Sequence, residues 1–268
     1  MKISVIVPTY CPQDYLWECL DSLCAQTLAP EIFEIVIVLN GCDQPYRGRI
    51  VEYISRHPEH EFRLVHTIQG GVCHARNLGI DTAVGEQICF VDDDDCLSKE
   101  YLERMLALAA PDSIAVSDVV MFDEKGNIFS HFLGEAFRRC TSSYSPSLFH
   151  GRSFLSSVCC KLIPRQVLAQ DKFDERYILG EDALYMFRIS KRIRSIVLAS
   201  SDAVYKVRQR AQSASRSHYS YFYRFRLAIS LIGTYIGIYK KDIRHYDFLL
   251  FLSRLYATFR KIFYSNYR

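Results

Sequence analysis

The 268-residue chain has no run of about 20 uninterrupted apolar residues, so no transmembrane helix is expected. Its start, Met1-Lys2-Ile3-Ser4-Val5-Ile6-Val7-Pro8, holds too short an apolar run for a secretory leader and shows no cleavage-site pattern. Ten cysteines are present, but none stands in a C-x-x-C pair or at zinc spacing, and Cys159-Cys160 is simply vicinal. That pattern favours reduced thiols in a cytoplasmic setting over a disulfide framework. Internal repeats and low-complexity segments are absent as well.

What is present suits a globular chain. Hydrophobic residues make up 49% and charged residues 24%, enough apolar material for one large domain or a domain with an appendage. The net charge of +3 hides an asymmetry. From Ala203 to Arg268 there are 13 Lys and Arg against 2 Asp and Glu, a net of +11 that leaves −8 for the rest. An acidic body carries a basic tail.

One stretch organises the body: Ile88-Cys89-Phe90-Val91 runs straight into Asp92-Asp93-Asp94-Asp95. The apolar run predicts a buried strand, and the acids fall at its C-terminal end, the edge where open α/β sheets bind ligands. Four adjacent carboxylates repel one another, and a bound divalent cation removes the conflict. The plain alternative is a solvated acidic turn. Around this stretch, apolar runs at Ile3–Val7, Ile35–Leu39, Leu64–Thr67 and Ile114–Val120 predict further strands. Helical spacing is expected over Asp14–Gln26, Arg47–Ser55, from Gly71 to Ala83, and from Ser98 through Ala109, with Pro111 after its end. The first 120 residues therefore alternate strand and helix, which predicts a mostly parallel, Rossmann-like sheet with helices on both faces. From Met121 to Pro164 periodicity is poor, and hairpins and loops over the site are expected. A helix over Asp182–Ile193 and a strand over Ile196–Ala199 follow, then two helices broken near Tyr239-Lys240-Lys241-Asp242.

Five motifs stand in order: Ser4-Val5-Ile6-Val7-Pro8-Thr9-Tyr10, Val38-Leu39-Asn40-Gly41, Gly71-Val72-Cys73-His74-Ala75-Arg76-Asn77-Leu78-Gly79, Phe90 to Asp95, and Gly180-Glu181-Asp182. Over roughly Ile3 to Ser215 the chain resembles a family 2 glycosyltransferase of the GT-A fold, the group that builds bacterial capsules and surface polysaccharides. The resemblance implies an inverting transferase that moves a sugar from a nucleotide donor, with UDP expected, to a saccharide or lipid-linked acceptor. It also implies Mn²⁺ or Mg²⁺, with Asp94 as direct ligand and Asp92 facing the ribose or a metal-bound water. Pro8, Thr9, Tyr10, Asn40, Arg76 and Asp93 would line the nucleotide. Asp182 would be the general base, and Lys161 and Glu181 would face the acceptor. Where the family usually carries an acid for the uracil N3–H, this chain has Asn40, whose amide can accept or donate, so the base stays open.

Each residue also has a plainer reading. Asp182 at a helix start is what capping alone predicts. Tyr10 could pack in its loop, and Arg76 could make a surface ion pair. Arg208 and Arg210 precede the Ser-rich Gln212-Ser213-Ala214-Ser215, a loop that could close over phosphates or be ordinary solvated charge. A sugar-phosphate nucleotidyltransferase is the rival enzyme, disfavoured because Tyr10-Cys11-Pro12 stands where a Gly-rich phosphate loop belongs. A non-catalytic, membrane-associated protein of the same fold is the other rival.

The expected division is a catalytic region over residues 1–215, with a donor half at 1–120 and an acceptor half at 121–215, and a helical tail at 216–268. From Ala203 onward lie 16 of the chain's 36 Phe, Trp and Tyr residues, interleaved with basic ones. Such a tail suits an anionic membrane surface, core packing or a homodimer, and nucleic acid is not expected as partner.

Overall fold

The computed structural model describes residues 2–140, 144–145, 148–210 and 220–263, with no side chains described at 144–145 or 261–263. The first part alternates as its periodicity predicts: β1 (Ile3–Thr9), α1 (Tyr15–Cys24), β2 (Phe33–Asn40), α2 (Tyr46–Ser55), β3 (Glu61–Thr67), α3 (Val72–Thr82), β4 (Gln87–Phe90), β5 (Cys96–Leu97), α4 (Tyr101–Leu106) and β6 (Ser113–Val116). Every residue of β1 and β2 is buried, as expected of strands covered on both faces. Then come β7 (Asp118–Phe122), β8 (Ile128–Ser130), α5 (Phe132–Arg139), β9 (Tyr144–Ser145), β10 (Lys161–Pro164), α6 (Arg165–Leu168), α7 (Glu181–Ile189), β11 (Ser195–Leu198), β12 (Val204–Arg208), α8 (Tyr221–Lys241) and α9 (Phe248–Phe263).

Among the described residues the strands form two sheets. The larger has the order β3-β2-β1-β4-β10-β6-β11-β9. Its first four strands are mutually parallel, as are β6 and β11, while β10 runs antiparallel to both of its neighbours. The smaller has the order β5-β12-β7-β8. Asp92–Asp95 link β4 of the large sheet to β5 of the small one. The acidic turn is therefore the seam between the sheets, at the carboxyl ends of the parallel strands.

Three expectations change. The single strand over Ile114–Val120 is two. Ser117 is buried and its N–H donates to the Cys160 carbonyl at 3.2 Å, so β6 stays in the large sheet while β7 joins the small one. Strand β10 was not expected because Lys161 interrupts its apolar pattern. Strand β12 replaces part of what reads as a basic loop. The Ser-rich stretch Gln212–Ser215 lies outside the described residues.

The tail packs on the body through one face. Ala228, Leu231, Tyr235, Tyr246, Leu250 and Phe251 are buried. Phe187 of α7 stacks on Tyr246 with ring centroids 4.9 Å apart and meets Tyr235 edge-on at 5.3 Å. The Tyr177 hydroxyl bonds to the hydroxyls of Ser230 at 2.9 Å and Thr234 at 2.7 Å. The outer face stays apolar and exposed, with Phe222 at 67% and Tyr256 at 66%. No helix among the described residues is long and apolar enough to cross a membrane. None of the ten cysteines is in a disulfide.

Candidate active site

The acidic turn closes on itself, with the Asp95 N–H donating to the Asp92 carbonyl at 3.0 Å. Its four carboxylates then separate. Asp95 points inward and is buried. It accepts from the Arg208 backbone N–H at 2.8 Å and from the Tyr205 hydroxyl, and burial holds its carboxyl well above the usual range. Asp93 accepts from the Thr9 hydroxyl at 2.5 Å, and burial pushes it up to about 7, with Thr9 opposing and Asp94 and Asp92 adding to the rise. Asp94 is raised too, by burial and by Asp92, against the pull of Arg210. Asp92 is more open than Asp94, and it meets Arg76.

Arg76 sits on α3 behind Gly71, and its guanidinium is almost wholly buried. One nitrogen donates to Asp92 Oδ1 at 3.0 Å and the other to Asp182 Oδ1 at 2.6 Å. Glu181 Oε1 lies 3.8 Å away, and the Phe173 ring flanks the charge at 5.5 Å. Burial works against this charge, and the carboxylates of Asp182 and Asp92 outweigh it. Asp182 Oδ2 also accepts from the Val158 N–H at 3.3 Å, so the carboxylate is held at both oxygens. Burial, then repulsion from Asp182, pushes Glu181 up to about 7.

The turn into α7 depends on Gly180, which has φ +81° and caps the helix. A side chain there would be strained, and its Cβ would stand 3.1 Å from Leu231 of α8.

At the edges of β1 and β2 the predicted nucleotide residues divide. Tyr10 is 60% exposed and lies over Gly41 (φ +91°), where an added Cβ would come within 2.6 Å of its ring. Pro8 and Thr9 are buried in the strand. Asn40 is buried as well. Its amide donates to the Thr9 carbonyl at 2.7 Å and accepts from the Gly71 N–H at 3.0 Å, tying β1 and β2 to the start of α3. Lys161 is fully buried, with its amine donating to the Cys159 carbonyl at 2.9 Å. That burial keeps its charge away from the surface an acceptor would reach.

Strand β12 brings in Tyr205, which the sequence did not flag, and Arg208, with Arg210 just beyond its end. Tyr205 is buried, and its hydroxyl accepts from the Asp92 N–H at 3.1 Å. Arg208 donates to the Asp94 carbonyl at 2.9 Å and to Glu18 at 2.6 Å. Arg210 reaches Asp94 Oδ2 at 2.5 Å. The alternation Val204-Tyr205-Lys206-Val207-Arg208 was the available signal for this strand.

No three His, Cys, Asp or Glu side chains converge as a metal cage among the described residues. A site of one or two carboxylates completed by phosphate oxygens needs no such cage. Asp94 and Asp92 are hard oxygen donors of the kind such a cation takes.

The model for glycosyl transferase family 2 matches residues 4–170. The chain belongs to this family. Family relatives include glycosyltransferase GlyA of Streptococcus pneumoniae serotype 4, 30% identical over 226 residues that cover 80% of this chain and 32% of GlyA. The chain thus spans about a third of that relative's length. The fold is GT-A. It is similar to Staphylococcus aureus TarS in complex with UDP-GlcNAc, with TM-score 0.74 and 24% identity over 96% of this chain and 73% of that one. It is also similar to mannosyltransferase PcManGT from Pyrobaculum calidifontis in complex with GDP-Man and Mn²⁺, with TM-score 0.64 and 17% identity over 97% and 69%.

Proposed function

We propose that this protein is an inverting glycosyltransferase that moves a sugar from a UDP-linked donor to a hydroxyl of a saccharide or lipid-linked saccharide in surface polysaccharide synthesis. The observation that carries this reading is Arg76, whose one guanidinium joins Asp92 of the acidic turn to Asp182 of α7. That contact sets a donor-side acid and a basic carboxylate side by side at the carboxyl edge of the sheet. Family membership and the UDP-GlcNAc bound to TarS support the donor class.

In this reading Asp182 takes the proton of the acceptor hydroxyl as that oxygen bonds to the anomeric carbon. The bond from that carbon to the diphosphate breaks, and its electron pair leaves with the diphosphate. Attack from the face opposite the leaving group inverts the centre. Asp94 and Asp92 would hold Mn²⁺ or Mg²⁺, which supplies positive charge against the leaving diphosphate. Tyr10 offers an exposed ring for the base. Asn40 and Lys161 act from behind, as ties that position the strands, while Glu181 borders the acceptor. Residues 1–120 form the donor half and 121–215 the acceptor half.

The tail over 216–268 would seat the protein on the inner, anionic face of a cytoplasmic membrane. Exposed aromatics on α8 and α9 with interleaved arginines and lysines support that seat over a homodimer.

Calorimetric titration of UDP, GDP and CDP, each with Mn²⁺ and with EDTA, tests the donor site. Binding of UDP that needs Mn²⁺ is expected. Binding of a different nucleotide would move the donor, and binding of none would remove the enzymatic reading.

A further inference from the structure

The loop from β3 to α3 and the segment that leads into α7 are joined by one carboxylate. Glu175 Oε2 accepts from the Gln69 side-chain amide at 2.9 Å, across 106 residues of sequence. Its Oε1 accepts from the Asn77 amide at 3.2 Å and meets His74 Nδ1 at 3.1 Å, both on α3. Burial opposes the charge of this carboxylate, but the hydrogen bonds from His74 and Asn77 outweigh it and hold the group below its ordinary range. Each end of the clasp borders the site. The Gln69 N–H donates to the Thr67 hydroxyl at 3.2 Å, and at the next residue, Gly70, an added Cβ would stand 3.8 Å from the Tyr10 ring. At the other end, Asn77 holds both the N–H and the carbonyl of Phe173, at 2.7 and 3.0 Å, and the Phe173 ring flanks Arg76. The Tyr177 hydroxyl ties the same segment to α8, and the segment runs through Gly180 into Asp182.

We propose that Glu175 is a positioning residue: through Gln69 it couples the loop beside the nucleotide base to the segment that carries Asp182, so that an occupied donor site steadies the catalytic carboxylate. The inference rests on the reading of Tyr10 as the platform for the base and of Asp182 as the general base. A base laid on the Tyr10 ring also borders Gly70 and orders the loop around it. Gln69, fixed in that loop, then holds Glu175, and part of the cost of ordering residues 173–182 is met before the acceptor arrives. The coupling runs both ways, so the same contact strengthens the binding of the nucleotide. Glu175 is 41% exposed, which leaves the fold able to survive loss of the Gln69 contact.

Amide hydrogen exchange reads both ends of the clasp at once. Wild type, Gln69→Ala, Gln69→Glu and the exchanged pair Gln69→Glu with Glu175→Gln are compared in Mn²⁺, with and without saturating UDP, and thermal melts are the folding control. In wild type, UDP is expected to slow exchange over residues 92–95 and also over 173–182. Gln69→Ala should bind UDP about fivefold more weakly, the worth of one hydrogen bond, and at saturation protect 92–95 without protecting 173–182. Gln69→Glu sets two carboxylates together and should lose the same protection. The exchanged pair should regain it, because amide and carboxylate have traded places. A contact that serves the fold alone would move the melting temperature and leave the UDP-dependent protection as it was. Protection of 173–182 that persists in Gln69→Ala overturns the coupling, and so does its absence from wild type when 92–95 is protected. Failure of the underlying reading looks different: UDP then protects neither segment in wild type, and the coupling falls with it.

Discussion

Asp92 and Asp94 stand two residues apart on one turn, yet the guanidinium on each has a different surrounding. At the inner end, Arg76 is buried, charged and shared with Asp182 of a separate element. At the outer end, Arg210 is part-exposed, while its partner Asp94 is mostly buried. The inner pair has geometry to keep, since Arg76 sets the distance between the turn and α7. The outer pair has charge to balance. Burial of the guanidinium separates them: Arg76 is left short of compensation for its charge when a partner is removed, whereas part-exposed Arg210 can be re-solvated.

That contrast can be broken in several places, and the largest effect belongs to Asp182. Asp182→Asn should retain UDP binding and lose transfer by a factor on the order of 10²–10⁴, the usual worth of a general base. Transfer at the wild-type rate would remove Asp182 from the chemistry. Arg76→Met should cost about 3 kcal/mol of stability in urea unfolding, because it leaves two carboxylates without their shared cation. A loss comparable to that of an open surface pair would put the two ends of the turn on the same footing.

Glu181 sharpens the inner end through pH. Its folded value near 7 lies above the ordinary carboxylate value of 4.5, so the native state holds the proton more tightly than the unfolded chain. Any stability tied to that proton is present below pH 4.5 and is lost as pH rises to 7. Glu181→Gln should therefore be more stable than wild type at pH 8, by about 2 kcal/mol, with the gain fading by pH 5. An equal gain at both values would assign the effect to packing. The smallest change is Tyr205→Phe, expected to cost about 1 kcal/mol by removing one hydroxyl from Asp95 and from the Asp92 N–H. A melting temperature equal to wild type would show that the turn holds without it.

The sequence could be read where one element meets one neighbour. The apolar runs of β1, β2 and β4 and the helix faces between them carry their own periodicity, and the acids at the end of β4 follow directly. Reading fails where a residue is set by two partners at once. Ser117 divides one apolar run between two sheets, and no local pattern marks the change of partner. Lys161 sits inside a strand because its amine finds the Cys159 carbonyl two residues back. Asn40 looks like a ligand from its place after a strand, but Thr9 and Gly71 claim its amide. Arg76 carries the same lesson at the site itself. Its position in the motif was legible, while its second carboxylate, 106 residues away along the chain, was not.

The packing of α8 on α7 bears on how such a protein can be re-engineered. Leu231 stands against Gly180, and Tyr235 and Tyr246 enclose Phe187, so the helix that carries Asp182 is half-walled by the tail. A tail grafted from a relative would arrive with different wall residues and shift that helix. The α8–α9 tail and the helix that carries Asp182 therefore form one heritable unit, and chimeras should be cut ahead of Gly180, so that α7 travels with α8.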